Sequence, residues 1–150
     1  MPQFPSSILI HLIVSTKHRE RLIRQPVASE LYADGTTVLK NAGYATLAMN
    51  GVADHIDVLF NLSRVKSIAD VVEELKTSTS KWIKTKGRDY HGFHWQAGYA
   101  AFSVSRSSVE QVIQYIRDQE NNHRQRSFQE ELRALLARHE ISFDERCVWD

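Results

Sequence analysis

The stretch from Tyr44 to Leu62 constrains the fold more than any other. It holds two short β-like runs, Tyr44–Asn50 and Asp54–Leu62, joined through Asn50-Gly51, a dipeptide that favours the tight turn of a hairpin. A hairpin set among helical segments departs from strict strand-helix alternation. It points to an α+β chain with a mainly antiparallel sheet.

The rest of the chain is consistent with that frame. Ser7–Ser15 (SILIHLIVS) is rich in β-branched residues and reads as a first strand. Val27–Asn41 carries apolar residues at Val27, Leu31, Val38 and Leu39, but Gly35-Thr36-Thr37 weakens a helical reading. Ser67 and Asp70 stand at capping-box spacing, and Ile68, Val71, Val72, Leu75, Trp82 and Ile83 share one helical face as far as Gly87. Gly92–Gln96 and Tyr99–Ser105 read as strands around Ala97-Gly98. Ser107 or Ser108 opens a helix, read as running to His123, with Val109, Val112, Ile113 and Ile116 inward. Ser127 opens a last amphipathic helix with Phe128, Leu132, Leu135 and Leu136 inward. The expected architecture is a ferredoxin-like (RRM-like) antiparallel sheet with helices packed on one face, as a single domain over residues 1–150. That architecture hosts many functions and selects none.

Composition excludes some classes. With 150 residues, 42% hydrophobic and 25% charged, the chain is an ordinary globular one. No run approaches the roughly 18 apolar residues of a membrane helix, and the first residues show no signal pattern. No membrane partner is expected. The one cysteine, Cys147, excludes an internal disulfide and fits a cytoplasmic location. A net charge of +1 does not mark a nucleic-acid binder. Its distribution is more suggestive: Lys17, Arg19, Arg21 and Arg24 crowd one loop, Lys81, Lys84, Lys86 and Arg88 form an acid-free run, and Arg117, Arg124 and Arg126 make a third group. Such clusters serve as phosphate contacts or simply as solvated faces.

Two constellations can carry chemistry. In His55-Ile56-Asp57, residues two apart on a strand point to the same face, so an imidazole and a carboxylate project together. They are either half of a divalent-cation site or polar residues on a sheet face. Tyr115 lies roughly 120° from Val109 around its helix, at the edge of the apolar stripe, with Gln119 one turn on. A tyrosine beside a metal ligand can attack a phosphodiester; a tyrosine covering a sheet edge is the plainer reading. His123, a further turn on, either faces the same site or serves the helix C-terminus by charge. His11 reads as a satisfied sheet residue. His18, His91 and His94 have no supporting context.

These segments occur in a telling order: HLIVSTKHRERL, DHIDVLF, SIADVVEELKTSTSKWIK, WQAGYAAFSVS, and YIRDQENNHR followed by SFQEELRALL. Across nearly all 150 residues the chain resembles the HUH-type single-tyrosine transposases of small bacterial insertion sequences, including the repeat-associated transposases. The resemblance implies homodimers with shared active sites that bind hairpins in single-stranded DNA. It implies cleavage through a 5′-phosphotyrosine, leaving a free 3′-hydroxyl, with Mg²⁺ or Mn²⁺ as cofactor. Tyr115 matches the nucleophile, Gln119 the ligand four residues later, and His55 the first histidine of a His-hydrophobic-His strand motif. The second histidine of that motif is Asp57 here, an acceptor-only ligand with a shorter reach. The basic loop with Lys17, Arg19 and Arg21, and Lys76, Lys81 and Lys84 on the helix after the metal strand, are the expected backbone contacts. The alternative is an impaired or domesticated relative that binds hairpin DNA without cleaving it. An RNA-binding module would need a paired aromatic platform that these strands lack.

Overall fold

All seven residues of β1 (Leu9–Ser15) are buried. A strand covered on both faces needs packing layers above and below, so its sequence is a near-continuous apolar run rather than an alternating one. In the computed structural model, which describes residues 6–144 with the side chains of 124 and 125 left aside, β1 lies inside a four-stranded sheet. It pairs antiparallel with β3 (His55–Asn61) on one side and β4 (Ala100–Val104) on the other, and β2 (Ala45–Val52) completes the edge beyond β3. The order β2-β3-β1-β4 is the ferredoxin-like arrangement. Cys147 lies outside the described residues. Among those residues no helix is long and apolar enough to cross a membrane.

Register sorts the side chains. Ile10, Leu12 and Val14 of β1 and Ile56, Val58 and Phe60 of β3 face one side, where they meet Val27, Leu31 and Leu39 of α1 (Gln25–Asn41) and Val71, Val72, Leu75 and Ile83 of α2 (Ile68–Lys84). That is the helix-covered face expected. The other face carries helices as well. Leu9 and Leu59 meet Val109 and Ile116 of α3 (Val109–Arg117), and Ile13 and Phe102 meet Phe128, Leu132 and Leu136 of α5 (Phe128–Arg138). His11, His55 and Asp57 lie on this second side of the strands, beneath the C-terminal helices.

Several local expectations shift. The Gly35-Thr36-Thr37 segment is helical: Gly35 is buried in α1, where an added Cβ would lie 2.9 Å from Met49 Sδ and 3.3 Å from Leu75 Cδ1. Glycine therefore lets α1 press onto β2 and α2. Ser67 caps α2 in a full capping box, its hydroxyl accepting from the Asp70 N–H. Of the two strands expected around Ala97-Gly98, only the second forms; Trp95 contributes an isolated bridge to Thr16. The hairpin turn falls on Ala53-Asp54, not on Asn50-Gly51, because Val52 pairs with His55 and Gly51 with Ile56. Gly51 is needed for closeness instead: an added Cβ would stand 2.3 Å from the His55 carbonyl oxygen and 2.9 Å from Ile56 Cα. Backbone atoms cannot yield as a flexible side chain can. Gly51→Ala should cost about 1–3 kcal/mol of stability, read as a lowered urea midpoint with an unchanged slope.

Candidate active site

The helix expected to run from Ser108 to His123 is broken. α3 ends at Arg117, Asp118 leaves helical geometry at φ −99° and ψ 25°, and α4 (Gln119–Gln125) restarts. Side chains satisfy the carbonyls freed by the break. Asn50 Nδ2 donates to the Ile116 and Arg117 oxygens, and Asn122 Nδ2 donates to the Tyr115 oxygen at 2.9 Å. Gln119 accordingly opens α4 rather than continuing the helix that carries Tyr115. Its side chain is buried, its amide nitrogen turns back 3.5 Å from the Tyr115 carbonyl, and its Oε1 has no hydrogen-bond partner.

The break returns His123 over the sheet, where it meets His55. Their Nε2 atoms are 3.1 Å apart. Each ring is oriented from behind. Asp54 Oδ1 lies 2.7 Å from His55 Nδ1, and the Arg126 carbonyl lies 3.1 Å from His123 Nδ1. With Nδ1–H donating to an oxygen in both rings, both Nε2 lone pairs turn inward, the pattern that orients metal-bound histidines. Phe128 stacks on His55 at 4.4 Å and closes the space above it.

The third member is Glu131, buried to 2% exposure on α5. Its Oε2 lies 2.6 Å from His123 Nε2 and 3.4 Å from His55 Nε2, yet neither approach has hydrogen-bond alignment. Its Oε1 accepts a short hydrogen bond from the Tyr115 hydroxyl. Asp57 stands beside this group with Oδ1 3.6 Å from His55 Nε2 and without a hydrogen-bond partner, while its Oδ2 lies 2.7 Å from His11 Nε2. Ligand atoms around a small divalent cation lie about 2.1 Å from it and about 3 Å from one another. The inward atoms of His55, His123 and Glu131 lie 2.6, 3.1 and 3.4 Å from one another, close to that spacing. The donor set fits a divalent ion.

Electrostatics agree that the cluster is built around positive charge. Burial alone would lower the His55 pKa, but the hydrogen bond with Asp54, the nearby Glu131 carboxylate and the charge of Asp57 raise it to about 10. Burial would raise the Glu131 carboxyl; its contacts with His123 and His55 hold it instead well below the usual carboxylate range. A proton or a metal ion can fill the same role. The Tyr115 phenol is pushed far above its ordinary value, first by burial and then by the Glu131 charge.

Beside His123 opens a cleft of about 870 Å³ whose lining includes Arg21, Arg24, Tyr32, Asp54 and Arg126. Arg21 and Lys17 are exposed in the basic loop, and Arg19 is partly covered. Lys76 needs correction as a backbone contact. Its ammonium donates to the carbonyls of Gln96, Ala97 and Gly98 at 2.6, 3.2 and 2.8 Å, so it ties a loop down. Lys81 and Lys84 ride on α2, the helix on the opposite side of the sheet from the cluster.

Sequence reasoning passed over Glu131, Asp54 and the tie between His11 and Asp57. Glu131 follows Phe128 by three residues and precedes Leu135 by four, so a charge sat in the inward stripe of an amphipathic helix, where an unpaired charge is rarely found. That signal was readable. The hydrogen bond between His11 and Asp57 was not, because it depends on the β1–β3 register.

The sequence profile described as "Transposase IS200 like" matches residues 5–119. The chain is 25% identical over 114 residues to the ISDra2 transposase TnpA of Deinococcus radiodurans, a match spanning 73% of this chain and 81% of that protein. Its fold is shared with a candidate transposase of Deinococcus radiodurans, at TM-score 0.63 and 23% identity over 79% of this chain and 95% of that one. A REP-associated tyrosine transposase bound to a REP hairpin shares it at TM-score 0.59 and 12% identity, over 82% and 74%. His123 and Glu131 lie beyond the stretch that the profile matches. With three quarters of its length and its whole sheet inside that stretch, the chain belongs to the IS200-like transposase family.

Proposed function

We propose that this transposase cleaves and rejoins single-stranded DNA beside hairpins, with Tyr115 as its nucleophile and a divalent cation as its cofactor. The observation that carries the reading is one carboxylate, Glu131, which touches the Tyr115 hydroxyl with one oxygen and lies within 3.4 Å of both imidazoles with the other. Hairpin DNA as substrate is supported by the REP-associated transposase of the same fold, which is bound to one.

In the cleavage step Tyr115 Oη attacks the scissile phosphorus. The Oη–P bond forms as the P–O3′ bond breaks, giving a 5′-phosphotyrosine and a 3′-hydroxyl. Glu131 Oε1, already hydrogen-bonded to the phenol, holds Oη in place for the attack; water takes the phenolic proton away, and water protonates the departing 3′ oxygen. Rejoining reverses these events: a 3′-hydroxyl attacks the phosphotyrosine and Tyr115 takes its proton back. His55, His123 and Glu131 would hold a divalent ion, which would supply the charge that polarises the phosphate. Two imidazole nitrogens suit Mn²⁺ better than Mg²⁺. Of the two further ligands implied by family resemblance, Gln119 has a buried oxygen that lacks a hydrogen-bond partner and stands as an additional candidate, whereas Asp57 is engaged through Oδ2 by His11. Arg21, Arg24 and Arg126 border the adjoining cleft and are suited to the phosphates of the incoming strand. Lys17 and Arg19 extend that basic surface.

A second reading, a relative that grips hairpins without cutting, is favoured by the tether of Asp57 to His11 and of the tyrosine to Glu131. Covalent capture separates the two. Wild type incubated with hairpin-bearing single-stranded DNA and Mn²⁺ should yield a protein–DNA adduct stable to denaturing electrophoresis. Tyr115→Phe should abolish the adduct and leave hairpin affinity within about twofold. Hairpin binding without an adduct from wild type under any divalent metal supports the second reading. Adduct formation should accelerate as pH rises from 7 to 9, because His55, whose pKa is raised to about 10, must give up its proton for Nε2 to hold the ion. Arg21→Ala should reduce the slope of log affinity against log salt by about 0.7, the loss of one single-strand phosphate contact.

A further inference from the structure

We infer that Glu131 takes over as metal ligand the position of the strand histidine that this chain lacks at residue 57, and that it does so in the same chain that supplies Tyr115. The inference rests on the transposase reading for what the ion is used for, but not for where it binds.

Four observations carry it. Both histidine rings are turned with Nε2 inward by oxygen partners on Nδ1, so two ligand atoms are preset. Glu131 Oε2 approaches those two atoms at 2.6 and 3.4 Å without hydrogen-bond alignment, as atoms do when aimed at a common centre rather than at each other. Asp57 is held back: one oxygen is bonded to His11, and the other stays 3.6 Å from His55 Nε2. An aspartate in place of a histidine falls short of a centre set by the longer side chain, and Glu131, entering from above the sheet, reaches it. Finally, an ionised carboxylate buried to 2% exposure is costly unless opposite charge meets it, and the cluster is where that charge would sit.

The cis arrangement follows from the same carboxylate. Glu131 Oε1 holds the Tyr115 hydroxyl of its own chain, so one side chain joins ion and nucleophile without a second protomer. Each chain then carries a complete site. Asp57 becomes a positioning residue, acting through His11 and His55.

Titration of the full-length, chelator-treated protein with Mn²⁺, followed by calorimetry and by the electron paramagnetic resonance of free Mn²⁺, tests the ligand assignment without any DNA. Glu131→Gln and His123→Ala should each weaken Mn²⁺ binding about tenfold or more, whereas Asp57→Asn should change it by less than about fivefold. Far-ultraviolet circular dichroism checks that each variant is folded; His123, partly exposed, is the replacement least able to disturb the core. Mn²⁺ binding lost in Asp57→Asn and retained in Glu131→Gln would overturn the assignment. For the cis arrangement, equimolar His55→Ala and Tyr115→Phe chains should form no adduct when mixed; an adduct restored by mixing means shared sites and overturns it. Wild type that binds Mn²⁺ through Glu131 yet never forms an adduct leaves the assignment standing and removes the transposition reading instead.

Discussion

A buried carboxylate surrounded by two imidazoles and a phenol is an expensive object unless each partner is in place. Glu131 touches groups from β3, α3 and α4 while sitting on α5, so four elements must agree in position before its charge is satisfied. That requirement links the C-terminal helices to the sheet more specifically than apolar contact can. The leucines and phenylalanine that accompany it on α5 bring burial without direction. The charged cluster brings direction.

The same logic accounts for the broken helix. A continuous helix through Asp118 would carry the residues after Tyr115 onward along the axis of α3. The break at Asp118, with Asn50 and Asn122 serving the freed carbonyls, redirects the chain so that His123 returns above His55. The cost of an interrupted helix is small here because side chains satisfy what the backbone gives up. Local hydrogen bonding thus sets which histidine reaches the metal strand.

What could be read from the sequence was mostly what repeats with a period. The first strand, the apolar face of α2 and its Ser67 cap, and the same-face placement of His55 and Asp57 all follow from spacing, whereas the second covered face of β1 was not expected. The hairpin was legible, but its turn was three residues off, because Asn50-Gly51 carries a turn preference while Gly51 is needed for backbone closeness. Gly35 misled in the opposite sense: its entropic cost to a helix is outweighed by the close packing it permits against Met49 and Leu75. Lys76 resembled a phosphate contact only because a lysine's partners, here three backbone carbonyls, lie twenty or more residues away. Family resemblance pointed to Tyr115 and His55 and covered the SFQEELRALL segment, yet it assigned no role to Glu131, which falls outside the stretch that the family profile matches.

That boundary has a consequence for how such chains are divided. A cut placed after Gln119, where the family profile's match ends, would keep every strand and the tyrosine helix intact. It would also pass through the middle of a buried cluster, leaving His55 facing open space and the phenol without its carboxylate. The unit recognised by descent and the unit required by electrostatics have different edges in this protein, and the smaller of the two is a scaffold without its counter-charges.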